Sequence, residues 1–382
     1  MARFISSIMA IITAIVSLIT GHFGIETKPD NSTDEGFRVK SYVICDRIQD
    51  PSNLCSEDFD IITDVILFGV ATFDTKGKVS INREVLGTAL KNLKEVVGER
   101  DVKYTLNFLG PGSKTDSPDW NEQMKSLGNE HNKAFLSPCL QNNIIEVLEE
   151  YDLDGVHFDY EYPITDMAWF GYNNFIVSLG SKLGDDYTLN VAASDWCLQY
   201  TDLAVDFVDS FELMMYDVYD EEGRHATYET VTTRSQWIKD SNIPLEKITF
   251  GLPFYARHTD SDSYWYDYYS YADKLDENGF YTDSSIGKTF WFNTPDVIAK
   301  KTEFAIAEGY SGVMIWHYTC DLPSTNEASL LRAVGETVAN NYNYLIKGGL
   351  SERVFCPFCL YFHTFFVRKV LKLILHFGIC NV

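Results

Sequence analysis

The sequence predicts an α/β fold in which eight parallel strands and their helices close into a single (β/α)8 barrel, the TIM-barrel architecture. Two observations lead to this prediction: short β-like runs alternate with amphipathic helical segments, and acidic residues end the fourth run. The alternation is typical of βα units rather than of a sandwich. With 382 residues, 45% of them hydrophobic, the chain can hold one such domain, since these barrels commonly take roughly 250 residues or more.

The expected elements are given by their hydrophobic periodicity. Strands are predicted at residues 39–45, 64–71, 103–109, 155–161, 188–193, 211–216, 248–254 and 312–316. Helices are predicted at residues 83–97, 141–151, 169–183, 227–239, 295–308 and 328–340. Because barrels of this kind carry their active site at the carboxyl ends of the strands, functional residues are expected there.

The fourth predicted strand belongs to residues 154–163, DGVHFDYEYP, where apolar and ionisable side chains alternate. A strand places Val156, Phe158 and Tyr160 on one face and His157, Asp159 and Glu161 on the other. The flanking chain is apolar, which favours a buried parallel strand over a half-exposed one. Two buried carboxylates held two residues apart shift each other's pKa values, and such a shift makes an acid that works near neutral pH. This strand is therefore the candidate catalytic strand.

Residues 154–163 resemble the DGxDxDxE strand of the family-18 glycoside hydrolases, the chitinases and their relatives. The matching positions are Asp154, Gly155, Asp159, Glu161, Tyr162 and Pro163. His157 departs from the pattern, because the family usually has Asp there. Further matches are LMMYD at residues 213–217, GLPFYAR at 251–257 and GVMIW at 312–316. The resemblance extends over roughly residues 38–338.

The resemblance implies substrate-assisted catalysis, an exception to the usual pair of carboxylates. Glu161 would protonate the leaving glycosidic oxygen while the substrate's own 2-acetamido oxygen attacks C1, with retention of the anomer. Asp159 would orient the acetamido N–H and stabilise the developing positive charge. Tyr216 and Asp217 would complete the acetamido pocket. The expected substrate-binding residues are Trp316 beneath the sugar, Met214, Tyr255, Arg257 and, more weakly, Tyr42 and Phe68; no metal or organic cofactor is required.

His157 is expected to modulate catalysis. In the family pattern an Asp at this position shares a proton with the Asp two residues on. A free His titrates near pH ~6.5, so in acid His157 is expected to hold Asp159 ionised and turned away from the substrate.

Between residues 257 and 312 too little chain remains for the α+β insertion of some relatives, so a short aromatic loop is expected.

Composition limits the partners. The formal charge of −24 and the pI near 4.6 argue against nucleic acid and anionic membranes, which repel like charge. The resemblance points to chitin or N-acetylglucosamine oligosaccharides, bound by a monomer. A chitinase or related N-acetylglucosaminidase, a non-catalytic chitin-binding lectin and an endo-β-N-acetylglucosaminidase acting on N-glycans all remain open. Lectin-like relatives usually lose the acid, so Glu161 favours an enzyme.

The two ends differ from the predicted barrel at residues 38–343. Residues 1–21 read as a secretory signal peptide, with a signal anchor as the alternative, and residues 22–37 as a polar leader carrying the sequon at Asn31. Secretion is therefore expected. Residues 344–382 form an apolar and basic tail: a weakly membrane-associating tail, a removed anchor signal or a mis-predicted gene end. Its longest uncharged run, residues 354–367, is too short to span a bilayer simply.

Eight cysteines suit an oxidising compartment. Cys45 and Cys55 lie close together after the first strand and are the predicted disulfide pair. Cys356 and Cys359 have the spacing of half a zinc site, but no second pair of ligands accompanies them. They are interpreted as incidental cysteines of an apolar tail.

Overall fold

The computed structural model describes residues 36–109, 120–161, 163–259 and 265–347. Its centre is a barrel of parallel strands. These are β1 (Arg38–Ile44), β2 (Asp64–Phe73), β3 (Lys103–Leu109), β4 (Gly155–Asp159), β5 (Thr188–Ala193), β6 (Ser210–Leu213), β7 (Ile248–Pro253) and β8 (Gly312–Trp316). Each strand pairs with the next, and β1 pairs in parallel with both β2 and β8, which closes the barrel. The predicted fold class is confirmed.

Helices fill the connections between strands. They are α1 (Arg83–Val97), α2 (Trp120–Phe135), α3 (Pro138–Tyr151), α4 (Asp166–Leu183), α5 (Asp202–Phe207), α6 (Tyr228–Arg234), α7 (Gln236–Lys239), α8 (Pro295–Glu308) and α9 (Leu330–Lys347). Helices α1 and α8 have the predicted bounds. Helices α2 and α5 were not predicted, and the single helix predicted over 227–239 is divided into α6 and α7 at Ser235. α5 is six residues long, too short for a helical period to show in the sequence.

The candidate catalytic strand, β4, lies in the barrel wall between β3 and β5. All five residues of β4 are buried, as the apolar flanks predicted. Its first residue must be glycine, because a Cβ at Gly155 would lie 2.4 Å from the carbonyl oxygen of Thr188 on β5. Phe158 packs outward against Phe108 and Phe175. By the alternation of the strand, His157 and Asp159 therefore face the barrel interior.

The segment between β7 and α8 is short, as predicted, but it is built from two β-hairpins rather than a loop. Residues 255–257 pair with 265–267, and residues 280–283 pair with 288–291, both antiparallel. Aromatic stacking joins the hairpins, since the ring of Tyr266 lies 4.1 Å from that of Phe290. The described part of this segment has no α-helix.

The predicted disulfide is wrong. Cys45 and Cys55 are both free thiols. Cys45 is buried, with Sγ 3.9 Å from the carbonyl oxygen of Val43, whereas the Cys55 thiol donates to the carboxylate of Glu57 at 3.1 Å. The short helical turns of residues 45–48 and 51–53 lie between them and direct the two side chains to different surroundings.

The predictions for the chain ends lie outside the described residues. These predictions concern the signal peptide, most of the leader with its sequon, the tail beyond residue 347, and Cys356 and Cys359 within that tail. The barrel belongs to a compact unit that ends at Glu336, and the remainder of α9 belongs to a second unit. Within the described ranges, no helix has the length and apolar character needed to cross a membrane.

Candidate active site

The candidate catalytic pair lies at the carboxyl end of β4. Asp159 is the last residue of the strand and is 4% exposed, while Glu161 is half-buried. Burial and then the neighbouring charge of Glu161, with which its carboxyl shares a hydrogen bond, raise the pKa of Asp159 well above its usual range. Like charges this close do not both ionise readily, so the neighbouring Glu161 favours the protonated form of Asp159. The other oxygen of Asp159, Oδ1, is buried and has no hydrogen-bond partner among the described residues.

His157 precedes Asp159 by two residues on the same face of β4, and its ring contacts residues of three other strands. Its Nδ1 is 2.8 Å from Asn107 Nδ2 on β3, and its Nε2 is 3.1 Å from Glu212 Oε2 on β6 and 3.3 Å from the hydroxyl of Tyr42. The predicted pairing of His157 with Asp159 is therefore replaced in this structure. Two residues on one strand face lie about 7 Å apart, and the neighbouring strands offer His157 closer partners.

The sequence analysis missed the partner of His157. Glu212 is 0% exposed and accepts a 2.8 Å hydrogen bond from Nζ of Lys40 on β1. Burial alone would raise the pKa of Glu212, but the charge of Lys40 and the hydrogen bond from His157 bring it below its usual range. A signal was present in the sequence: Glu212 is the lone charge of the short strand SFEL, and Lys40 stands inside the mostly apolar strand β1. Such charges are almost never fully buried unless paired.

Asp217 is the centre of a second polar cluster. Tyr255 donates to its Oδ1 at 2.6 Å, and Arg257 binds both carboxylate oxygens, at 2.5 and 2.7 Å. The Asp217 backbone N–H donates to Nε2 of buried His225 at 2.9 Å. Burial alone would raise the pKa of Asp217, but His225 and Arg257 hold it far below its usual range. Asp217, Tyr255 and Arg257 were each predicted, whereas their contact and the part played by His225 were not.

The predicted aromatic residues form one wall of the site. Trp316 is half-buried, and its ring lies 4.9 Å from that of Tyr42 and 5.0 Å from that of Phe68, both edge to face. Met214 and Tyr216 pack against the same cluster. The structure therefore brings together side chains from β1, β2, β6 and β8. This agrees with the position of active sites in such barrels, at the carboxyl ends of the strands.

No metal site is visible in the described part of the chain, where no cluster of three or more His, Cys, Asp and Glu side chains is placed to hold an ion. The chemistry available to these residues is that of the carboxyl pair, the Asp217 cluster and the aromatic wall. A pair of adjacent carboxyl groups, an unpartnered acceptor and an apolar surface can together bind and protonate a neutral polar ligand.

Solved structures share this architecture at low sequence identity. A chitinase from the chitin utilization locus of Flavobacterium johnsoniae is 20% identical, with a TM-score of 0.61, over 80% of this chain and 95% of that one. A mutant class V chitinase from Nicotiana tobaccum in complex with NAG4 is 15% identical, with a TM-score of 0.62, over 80% and 99% of the two chains. A chitinase-like agglutinin from Robinia pseudoacacia is 16% identical, with a TM-score of 0.60, over 78% and 99%.

Comparison with curated proteins finds no match. The family model described as glycosyl hydrolases family 18 matches residues 54–321. This range contains the carboxyl pair at the end of β4, the Asp217 cluster and Trp316. The resemblance predicted from the sequence motifs is thus confirmed by most of the barrel: the chain belongs to glycosyl hydrolase family 18.

Proposed function

We propose that this protein is a chitinase, which hydrolyses β-1,4-linked N-acetylglucosamine polymers or oligomers by substrate-assisted catalysis with retention of the anomer. The observation that carries the proposal is the state of the carboxyl pair. Burial and the adjacent Glu161 raise the pKa of Asp159, and Oδ1 of Asp159 is buried without a partner among the described residues. A buried acceptor left without a donor costs free energy, and the N–H of a sugar's acetamido group would supply that donor.

Binding of the acetamido group would move the proton of the carboxyl pair. An N–H donated to Asp159 favours its ionised form, so the proton of the pair passes to Glu161. Glu161 then gives this proton to the glycosidic oxygen as the bond from C1 to that oxygen breaks. The acetamido oxygen of the same sugar bonds to C1 and gives an oxazolinium ion.

Asp159 and the Asp217 cluster would hold this intermediate. The ionised Asp159 stabilises the positive charge on the oxazolinium ring, and Tyr216 with Asp217 encloses the acetamido group. Water, deprotonated by Glu161, attacks C1 from the side that the leaving group vacated. The ring opens, Glu161 regains its proton and the product keeps the original anomer.

Substrate class and location belong to the same proposal. The solved relative in complex with NAG4 and the half-buried ring of Trp316 support an N-acetylglucosamine oligosaccharide as ligand, because the apolar face of a sugar stacks well on an aromatic ring.

Secretion is supported by the basic start and apolar run of residues 1–21. Mass spectrometry of the protein from the culture medium tests it: a mature chain that begins near residue 22 is expected, and retention of residues 1–21 contradicts it.

The test of function is turnover by Glu161→Gln. The amide keeps the shape of the side chain and loses the proton, so hydrolysis of a fluorogenic chitotriose should fall by at least ~10² to 10⁴-fold, while oligosaccharide binding remains. The matched control is Glu246→Gln, because Glu246 is exposed and precedes the amino end of β7, away from the site.

Three results separate the candidate functions. Wild-type hydrolysis of chitotriose that Glu161→Gln loses supports the chitinase. Release of glycans from a glycoprotein without chitotriose hydrolysis indicates an endo-β-N-acetylglucosaminidase. Binding without turnover of either substrate indicates a lectin on the same fold, as the agglutinin relative illustrates.

A further inference from the structure

A chain of buried polar groups crosses the barrel interior below the catalytic pair. Lys40 on β1 donates to Glu212 on β6 at 2.8 Å, and the second oxygen of Glu212 faces Nε2 of His157 at 3.1 Å. Nδ1 of the same ring meets Asn107 on β3 at 2.8 Å. Lys40 is 6% exposed and the other three side chains are 0% exposed. The charges in this chain therefore act with little screening by water.

The contacts fix the charge of the imidazole. Nδ2 of Asn107 is a donor, so Nδ1 of His157 is assigned as the acceptor and the ring proton is assigned to Nε2. This is the neutral tautomer. Nε2 lies 3.1 Å from Oε2 of Glu212 and 3.3 Å from the Tyr42 hydroxyl. The ammonium of Lys40 and the carboxylate of Glu212 cancel, so the set formed by Lys40, Glu212 and His157 carries no net charge.

We infer that Lys40 and Glu212 are positioning residues of the catalytic pair: with His157 they form a charge-balanced set that lets Asp159 and Glu161 share their proton in neutral surroundings. The inference rests on the proposed function for its effect on turnover. It assigns to Glu212 the contact with residue 157 that the sequence pattern gave to Asp159.

The set is coupled to the carboxyl pair through Tyr42 and through β4 itself. The Tyr42 hydroxyl lies 3.3 Å from Nε2 of His157. Burial, the charge of Asp159 and further charges that include Glu212 and Glu161 raise the pKa of Tyr42 well above its usual range. His157 on one side and the carboxyl pair on the other therefore both interact with one buried group, the Tyr42 hydroxyl.

The ionisable groups around Asp159 come from several elements. Besides Glu161, Tyr42 on β1 and Tyr172 on α4 interact electrostatically with Asp159. Glu212 on β6 and Tyr216 after β6 act on Tyr42. Lys40 on β1 and His157 on β4 contact Glu212. Among the described residues of this group, Lys40 is the one cation, and the negative charge of Glu212 balances its positive charge. An unbalanced unit charge about 10 Å from a carboxyl moves its pKa by roughly one unit at an effective dielectric constant of about 20.

The experiment compares pH profiles of kcat/KM for wild type, Glu212→Gln and the double variant Lys40→Met with Glu212→Gln. Glu212→Gln leaves the charge of Lys40 unbalanced, which favours ionised carboxyls, so the acid limb should move down by about one pH unit. The double variant restores neutrality, so the limb should return to its wild-type position.

The matched control is Asp64→Asn. Asp64 pairs with Arg38 at 2.9 Å, and this variant makes the same change of charge at the amino ends of β1 and β2. Its acid limb should stay in place. The double variant also keeps the test decisive if Glu212→Gln folds poorly, because removing both partners leaves no buried charge unpaired.

The outcomes are distinct. A downward shift in Glu212→Gln that the double variant reverses supports the inference. Lower rates with an unmoved acid limb in Glu212→Gln overturn it, because damage to packing alone lowers the rate without moving a carboxyl pKa. If the wild-type protein turns over no substrate, the proposed function fails, and NMR titration of the Asp159 and Glu161 carboxyl carbons in the same variants decides the inference without turnover.

Discussion

Arg257 holds Asp217 by two hydrogen bonds, from Nε to Oδ1 at 2.5 Å and from Nη2 to Oδ2 at 2.7 Å. The two residues are 40 positions apart, and Asp217 has a left-handed backbone conformation with φ of 56°. Such a conformation is unusual for a residue with a side chain. The two-point contact therefore fixes the direction in which the Asp217 carboxylate presents itself to the site.

Replacing Arg257 by lysine should remove this fixed geometry and keep the charge. An ammonium is a point donor that does not match the two carboxylate oxygens as a guanidinium does. The Asp217 side chain is 37% exposed, so solvent screens the pair and we expect a loss of about 1–2 kcal/mol, or roughly 5- to 30-fold in kcat/KM. Arg332→Lys, in an exposed pair with Glu336 on α9, is the control. Equal kcat/KM in Arg257→Lys and wild type would show that Asp217 needs no such clamp.

Asp159→Asn should stabilise the protein as the pH rises. The pKa of Asp159 is raised in the folded state, so its favourable contribution is complete below the unfolded value of about 4 and is lost as the pH rises through the folded value. Asparagine stays neutral and avoids this loss. Urea unfolding from pH 3 to pH 8 should show equal stabilities in acid and a gain for Asp159→Asn that grows towards neutral pH. A constant difference at every pH would contradict the raised pKa.

Trp316→Ala should weaken binding of chitin oligomers. The ring is half-buried against Tyr42 and Phe68, which leaves part of its surface for a sugar. We expect a loss of roughly 1–3 kcal/mol in binding free energy, by analogy with aromatic stacking on nucleobases. Calorimetry with Trp237→Ala as control suits this test, since Trp237 is exposed on α7. An unchanged dissociation constant would assign Trp316 to packing alone.

His157→Asp should destabilise the barrel through Glu212. The new carboxylate would stand near the Glu212 carboxylate, now 3.1 Å from the imidazole, and a buried charge without a partner costs about 3–5 kcal/mol. Adding Glu212→Gln should restore most of the loss, because an amide can donate to the new carboxylate. Urea unfolding of both variants, with kcat measured against pH, gives the answer. If His157→Asp alone is as stable as wild type and has the same pH profile, residue 157 is only a spacer.

The barrel and its candidate catalytic strand could be predicted because both give local patterns in the sequence. Each of the eight barrel strands lies within three residues at either end of its predicted bounds, since buried parallel strands read as apolar runs between helical segments. α8 was predicted at its bounds because it begins with a proline at Pro295 and stops at Gly309, whose φ of 88° ends a helix. The two hairpins before α8 were missed, because their strands are three or four residues long and too short to show alternation.

The sequence by itself determined which side chains reach the mouth of the barrel. The alternation along residues 154–163 and the motifs at the ends of the later strands depend on neighbours in the chain, so Asp159, Glu161, Asp217 and Trp316 could be selected without a structure. Tertiary structure decided which of these groups touch. Lys40 and Glu212 are 172 positions apart and meet only because β1 closes the barrel. Once they meet, the buried carboxylate takes the imidazole of His157 as its second partner, since a charge in a low-dielectric interior must be paired, and no local pattern records that requirement.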